Sequence, residues 1–332
     1  MTPLRVGTRG SELALWQAHA VADRIRAQSG HECELKIIKT TGDRLIHANL
    51  STVGGKRVFV KEIEQALVNN EIDLAVHSAK DMPAELPDGL VVRAVLPRED
   101  PRDAVVLPPG TPLSGLNATE FVTALSTPPR VGSGSVRRVA QLSHVWPDAQ
   151  FQLVRGNVGT RLGKLDAGGY DLLILAAAGL KRLGFAERIS TTIDTHTCVP
   201  APGQGVVAIE ARSDDQKIST ILHAVNDPIT WAALSAERSV VTALGGGCQV
   251  PIGALAETKG DALHLSAIVA SLDGTQLLRR EATTPGHSSA ADLAESAAEL
   301  GNAVARGLLE DGAGPILDAA RQVDTSAVND ET

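Results

Sequence analysis

Aromatic side chains are scarce in this chain: four phenylalanines, three tryptophans and one tyrosine make up 2% of its 332 residues. A protein that stacks bases needs more of them and an excess of cations besides, whereas the formal net charge here is -8 and the pI about 5.6. Nucleic acid is therefore not the expected partner. Long apolar runs are also missing. No segment approaches the roughly 18 unbroken apolar residues that span a bilayer, and Met1-Thr-Pro-Leu-Arg5 leads into a strand-like segment with no signal-peptide core. The expectation is a cytoplasmic protein with no membrane partner. Cysteine is few and odd in number: Cys33, Cys198 and Cys248 lie too far apart for a disulfide framework or a zinc site. No phosphate-binding glycine loop of the G-x-x-x-x-G-K-S/T type occurs.

What is present is a local surplus of arginine. Residues 130–161 hold Arg130, Arg137, Arg138, Arg155 and Arg161 with no lysine and a single acid, Asp148. Gly132-Ser-Gly-Ser-Val-Arg137-Arg138 and Arg155-Gly-Asn-Val-Gly-Thr-Arg161 each follow a short apolar run and open an expected helix. A helix N-terminus already carries partial positive charge and unpaired N–H groups, so arginine in its first turn calls for an anion nearby. Arginine forks suit carboxylates as well as phosphates. With nucleic acid and nucleotide loops set aside, a carboxylate-rich small molecule fits best.

Apolar periodicity predicts strands over 4–7, 35–38, 74–77 and 90–95, with a helix capped by Ser11 whose stripe is Ala14, Ala18, Val21, Ala22 and Ile25, and another over 60–68. Strands alternating with helices predict a mostly parallel sheet. A second α/β series follows Arg98-Glu-Asp-Pro-Arg-Asp103, with strands at 104–107, 131, 151–154 and 172–176 and helices over 136–145, 158–165 and 178–183. After the proline- and glycine-rich passage Cys198-Val-Pro-Ala-Pro-Gly-Gln-Gly205, a strand over 206–210 can belong to either unit. From Lys217 onward the texture changes to helices over 217–225 and 229–244, strands over 252–255, 264–269 and 276–280, and a long helix over 290–309, the pattern of a separate α+β domain. Residues past Arg321 are polar without periodicity and are expected to be disordered. No internal repeat shows at a fixed period.

Four segments could carry chemistry. Thr8-Arg9-Gly10-Ser11 again sets arginine and a hydroxyl between a strand and a helix, at the kind of strand end where open α/β sheets bind ligands. His77-Ser78-Ala-Lys80-Asp81 places an ammonium and a carboxylate at another strand end, where the acid could stabilise a developing cation or exchange a proton. Val53-Gly-Gly-Lys56-Arg-Val-Phe59 is a glycine loop with a cation and an aromatic. In Gly245-Gly-Gly-Cys248-Gln-Val-Pro-Ile252, glycines let backbone and ligand come close to a thiol, which makes Cys248 a candidate nucleophile or attachment point.

Taken in order, these segments together with Arg98-Glu-Asp-Pro-Arg-Asp103, Ser135-Val-Arg-Arg138, Arg155-Gly-Asn-Val-Gly-Thr-Arg161, Ala178-Gly-Leu-Lys-Arg182 and Gly203-Gln-Gly205 resemble the porphobilinogen deaminase family, also called hydroxymethylbilane synthases, over nearly the whole chain. The resemblance implies an α/β fold of three domains: two lobes like those of periplasmic binding proteins, joined by a double crossover, and a small C-terminal α+β domain. The expected boundaries are 1–97 with 200–216 for the first lobe, 98–199 for the second, 217–322 for the third domain and 323–332 for a disordered tail. The implied activity is a transferase reaction of tetrapyrrole (haem) biosynthesis, linking four porphobilinogen molecules head to tail with loss of ammonia to give hydroxymethylbilane. It also implies a dipyrromethane cofactor joined by a thioether to Cys248, a monomer, and a product passed to uroporphyrinogen-III synthase.

Carried over residue by residue, Asp81 matches the catalytic carboxylate. Ser78, Lys80, Ser133, Ser135, Arg137 and Arg138 match cofactor-binding positions. Arg9, Ser11, Arg155, Arg161 and Arg182 match positions that hold carboxylates of substrate or growing chain, and Lys56 and Phe59 match a loop that covers the site. Thr52, Gly134, Pro202 and Gly245 depart from residues common in the family, beside the motifs and not at their charged centres. The rival expectation is a two-lobed protein that captures a small anion without transforming it, which would leave Cys248 without a task.

Overall fold

The computed structural model describes residues 2–41, 60–111, 120, 128–246, 250–286 and 290–329. Its first unit runs β1 (Leu4–Thr8), α1 (Glu12–Ser29), β2 (Cys33–Ile37), α2 (Lys61–Val68), β3 (Leu74–Ser78) and β4 (Leu90–Val95). Its second runs β5 (Asp103–Val106), β6 (Arg130–Gly132), α3 (Val136–Val145), β7 (Gln150–Gln152), α4 (Val158–Asp166), β8 (Leu172–Ala176), α5 (Ala177–Arg182) and β9 (Thr191–Thr192). Then come β10 (Val207–Arg212), α6 (Gln216–Val225), α7 (Pro228–Ala243), β11 (Ile252–Lys259), β12 (Ala262–Ala270), β13 (Leu277–Thr283), α8 (Ala290–Glu310) and α9 (Ala313–Asn329).

The strands form two five-stranded sheets, in the orders β2-β1-β3-β10-β4 and β7-β6-β8-β5-β9, and one three-stranded antiparallel sheet, β11-β12-β13. The double crossover is explicit in these orders. Between β4 and β5 the chain passes from the first sheet to the second, and β10 brings it back to the first. The large sheets are mixed and not mostly parallel as the alternation of strands and helices predicted. β1 runs parallel to β2 and β3, and β6 to β7 and β8, but β10 is antiparallel to β3 and β4, and β5 to β8 and β9. The strand that arrives from the other lobe enters its sheet from the opposite end, and strand direction leaves no mark on apolar periodicity.

The Ser11 side chain accepts a hydrogen bond from the Ala14 N–H and caps α1. The helix stripe Ala18, Val21 and Ile25 then packs with Val6, Leu74 and Ile209 of the first sheet. Ile218, Ile221, Leu222 and Val225 of α6 join that same core. The expected domain boundary at 217 is corrected by this packing: α6 belongs with the first lobe, since burying each of its large apolar side chains there gains about 1.5–3 kcal/mol. The C-terminal end is corrected as well. α9 carries Ala313, Ile316, Leu317 and Ala320, a helical stripe buried in the core of the third sheet, and it continues past Arg321 to Asn329, into the segment expected to be disordered. Among the described residues no helix is long and apolar enough to cross a membrane.

Candidate active site

In the first lobe the ends of β1 and β3 meet the start of α1. β3 closes in a single 3-10 turn, Ala79–Asp81, which leaves the Asp81 side chain exposed. A pocket of about 70 Å³ is lined there by Arg9, Ser11, Gln17, His77, Ser78 and Asp81. Gln17 Nε2 donates to Ser78 Oγ at 2.8 Å and fixes the serine against α1. His77 is buried and pairs through Nε2 with Glu210 Oε2 at 3.0 Å, so it ties β3 to β10. The fold thus brings Arg9, Ser11, Ser78 and Asp81 together around one pocket.

In the second lobe Ser135 caps α3 by accepting from the Arg138 N–H, and the Ser133 hydroxyl accepts from the Ser135 N–H. Arg137 and Arg138 follow immediately, both buried. The anion that their first-turn position called for is found within the chain: Arg137 Nη2 donates to Asp103 Oδ2 at 2.7 Å and Arg138 Nε to Asp103 Oδ1 at 2.9 Å. Arg137 Nη1 also reaches the Val199 carbonyl, and Arg138 Nη1 the Ile174 carbonyl. Gln204 Nε2 donates to Asp103 as well, at 2.9 Å. Burial alone would raise the Asp103 pKa, but the two guanidinium groups overcome it and hold the carboxyl well below the usual range. The first anion met by Arg137 and Arg138 is thus a carboxylate of the chain itself, and the three residues form an internal ion triad.

Net positive charge nonetheless remains. Burial pushes the Lys80 ammonium down to about 8, with Asp81 and Asp103 pulling it back up and Arg138 and Arg137 pushing it further down. Arg161 lies close enough to feel both sides: burial and then Arg138 lower its pKa, and Asp81 opposes them. Its Nε donates to the Gly156 carbonyl at 2.8 Å, inside the glycine-punctuated turn that opens α4. Among the described residues, four cations, Lys80, Arg137, Arg138 and Arg161, thus gather with the two carboxylates Asp103 and Asp81 where the two lobes meet.

Arg155 is half-buried just ahead of α4. Arg182, at the end of α5, stands apart from this cluster with its Nη2 on the Gly205 carbonyl at 2.7 Å. Lys56, Phe59 and Cys248 lie outside the described residues.

Two features escaped sequence reasoning. Asp103 sat in a motif with no sign that it would bridge two arginines more than thirty residues away. Glu237 of α7 is fully buried and gathers Arg98 through both oxygens (2.7 and 2.9 Å), the Gly203 N–H (2.7 Å) and the Ala256 N–H (2.8 Å). It joins both crossover segments to the third sheet, and a lone glutamate in an amphipathic helix gives no hint of that.

A family model described as porphobilinogen deaminase, dipyromethane cofactor binding domain, matches residues 4–220, and one described as porphobilinogen deaminase, C-terminal domain, matches residues 231–310. The chain belongs to the porphobilinogen deaminase family. It is 44% identical over 324 residues to the porphobilinogen deaminase of Syntrophomonas wolfei, covering 97% of this chain and 100% of the relative. It is 48% identical over 317 residues to that of Desulforudis audaxviator, covering 95% and 97%. Among solved structures, the Bordetella pertussis BvgS periplasmic VFT2 domain is similar at 16% identity and a TM-score of 0.40, over 67% of this chain and 86% of that one. So slight a likeness adds nothing to what the family match establishes.

Proposed function

We propose that this protein is a hydroxymethylbilane synthase, which condenses four porphobilinogen molecules head to tail and releases ammonia at each step. Near full-length relatedness to porphobilinogen deaminases carries the reading. The charge arrangement supports it in detail. Each pyrrole unit bears an acetate and a propionate, and the surplus of Lys80, Arg137, Arg138 and Arg161 over Asp103 and Asp81 suits a chain of such units.

A dipyrromethane cofactor fits the same donor set. Cys248 would hold it by a thioether, and Ser78, Lys80, Ser133, Ser135, Arg137 and Arg138 would meet its carboxylates. When bound, it supplies the pyrrole carbon to which the first substrate unit is joined. The protein's own part is to orient and to balance charge. Loss of ammonia from porphobilinogen leaves a positively charged azafulvenium-like pyrrole, and Asp81, exposed at the end of β3, supplies a negative charge and an acceptor for pyrrole N–H groups. Arg9, Ser11, Arg155, Arg161 and Arg182 take the carboxylates of substrate and growing chain, with Lys56 and Phe59 on a covering loop. The three domains of this reading are 1–97 with 200–227, 98–199, and 228 onward. The enzyme works as a cytoplasmic monomer and passes its product to uroporphyrinogen-III synthase.

The test is to incubate the purified protein with porphobilinogen and follow ammonia and the linear tetrapyrrole together. Release of both supports the reading. Binding of porphobilinogen without either product would leave a two-lobed capture protein instead.

A further inference from the structure

Trp16 is 41% exposed, although it is a large aromatic in a chain with few of them. Its helix, α1, turns Gln17, Ala18, Val21 and Ile25 into the first lobe, so the indole adds little to that core. Instead the guanidinium carbon of Arg182 lies over its ring, 5.3 Å from the centroid. Arg182 belongs to α5 of the second lobe, and the contact therefore joins the two lobes.

The remainder of the Arg182 side chain is held with equal care. Nη2 donates to the Gly205 carbonyl at 2.7 Å. Gly205 itself has φ +83°, and a Cβ there would run into the Glu99 carbonyl oxygen, so the second crossover passes this point only with glycine. The preceding residue, Lys181, pairs with Asp100 at 3.0 Å and Glu99 at 3.4 Å in the first crossover. The end of α5 is thus tied to both crossovers, and the indole face supports the guanidinium from the other side. Arg182 Nε is buried and meets no acceptor among the described residues. On α1, Leu13, one turn before Trp16, lines the pocket that holds Asp81, as does Gln17 next to Trp16 in the chain.

We infer that Trp16 is a positioning residue for the condensation: its indole face holds Arg182 across the lobe junction so that the guanidinium meets a carboxylate of the incoming porphobilinogen or growing chain. The inference rests on the proposed function above. A cation held over an aromatic face gains modestly at an exposed site and more when desolvated, which corresponds to a change of about 3- to 10-fold in binding. Trp16 does not line the pocket that holds Asp81, so the effect is expected in substrate binding and not in turnover.

The experiment compares wild-type holoenzyme with Trp16→Leu, Trp16→Phe, Arg182→Leu and the Trp16→Leu/Arg182→Leu double variant, reading KM and kcat for porphobilinogen. Trp16→Leu should raise KM about 3- to 10-fold with kcat within about twofold of wild type. Trp16→Phe, which keeps an aromatic face, should stay within about twofold in both. In the Arg182→Leu background, Trp16→Leu should add nothing, because the indole then has no guanidinium to hold. If Arg182→Leu turns over too slowly, the same comparison is made by native mass spectrometry, as the fraction of enzyme carrying one added pyrrole after limiting porphobilinogen. An unchanged KM in Trp16→Leu, a full additional effect in the Arg182→Leu background, or a loss confined to kcat would each overturn the role of Trp16. Absence of turnover in the wild type would retire the functional reading itself, a separate outcome.

Discussion

Arg137 and Asp103 meet at 2.7 Å where neither side chain is more than 4% exposed, and Arg138 takes the other carboxylate oxygen at 2.8 Å. One buried acid thus holds two adjacent arginines at the opening of a helix, and their guanidinium groups are set in place before any ligand arrives. Asp103→Asn would leave both cations without a counter-charge, a change that typically costs about 3–5 kcal/mol. The variant is expected to unfold at lower urea and to lose the two-pyrrole adduct. Its stability should also lose the part of the wild type's acid dependence that Asp103 contributes. A carboxyl depressed in the folded state stabilises fully above its unfolded pKa of about 3.9 and loses that contribution as pH falls through the lower folded value. Wild-type stability with an intact adduct in Asp103→Asn would contradict this account of the triad.

Arg137→Leu and Arg138→Leu are expected to yield protein without the adduct, whereas neutral variants at Arg155 and Arg182 should keep it and stall elongation. The first pair shares the triad with Asp103, whereas Arg182 donates to the Gly205 carbonyl. Native mass spectrometry after limiting porphobilinogen separates missing cofactor from accumulated enzyme–pyrrole intermediates. Bare protein from all four variants would mean an undivided cationic surface.

Asp81 lies among cations intended for an anionic substrate, so its charge is expected to serve the transition state and not attraction. Asp81→Asn keeps the shape and removes that charge, and turnover should fall by about 10²–10³. Near-normal kcat with only a raised KM would place Asp81 in binding instead.

Lys80 carries a testable pH signature. Burial brings its pKa down to about 8, so the free enzyme loses one of its cleft cations as pH rises through that value. The profile of kcat/KM, which reports the free enzyme, should decline above about pH 8. Lys80→Arg keeps its charge over the same range, and its decline should move upward. Superimposable profiles for the two enzymes would remove Lys80 as the cause.

Glu237 is expected to be the costliest single acid to neutralise outside the cleft. It has no exposed surface, binds Arg98 through both oxygens and accepts from the Gly203 and Ala256 N–H groups. Glu237→Gln breaks the buried ion pair and sets an amide N–H₂ against groups that are themselves donors, for a loss of about 3–5 kcal/mol. Urea unfolding measures it, and a loss below about 1 kcal/mol would show that the crossovers are held by other contacts.

The elements were largely legible because apolar spacing reports which face of a strand or helix is buried, as in the stripe Ala18, Val21 and Ile25 of α1. Direction and partnership were not. Nothing in Val207–Arg212 tells that this strand returns to the first sheet and runs antiparallel there. A likeness between the lobes was hidden in the same way. Arg5 donates through its backbone N–H and its guanidinium to Asp73, at 2.7 Å in both contacts, and Arg130 does the same to Asp171 at 2.7 and 2.8 Å. The two clasps close loops of 68 and 41 residues, so no fixed period betrays them. In the candidate site, Asp81 and the arginines draw notice in the sequence because charge at a strand end or helix start is conspicuous. Asp103 and Glu237 could not, because their partners are brought to them only by folding.

Intact-protein mass spectrometry of wild type and Cys248→Ser, before and after incubation with porphobilinogen, tests the central claim most directly: that this chain builds its tetrapyrrole on a dipyrromethane held by Cys248. The wild type should carry an adduct of two pyrrole units and gain further units with substrate. Cys248→Ser should fold, stay at its bare mass and make no hydroxymethylbilane, while Cys33→Ser and Cys198→Ser keep the adduct. A bare wild type that gains nothing from porphobilinogen, or a Cys248→Ser variant with full activity, would contradict the account.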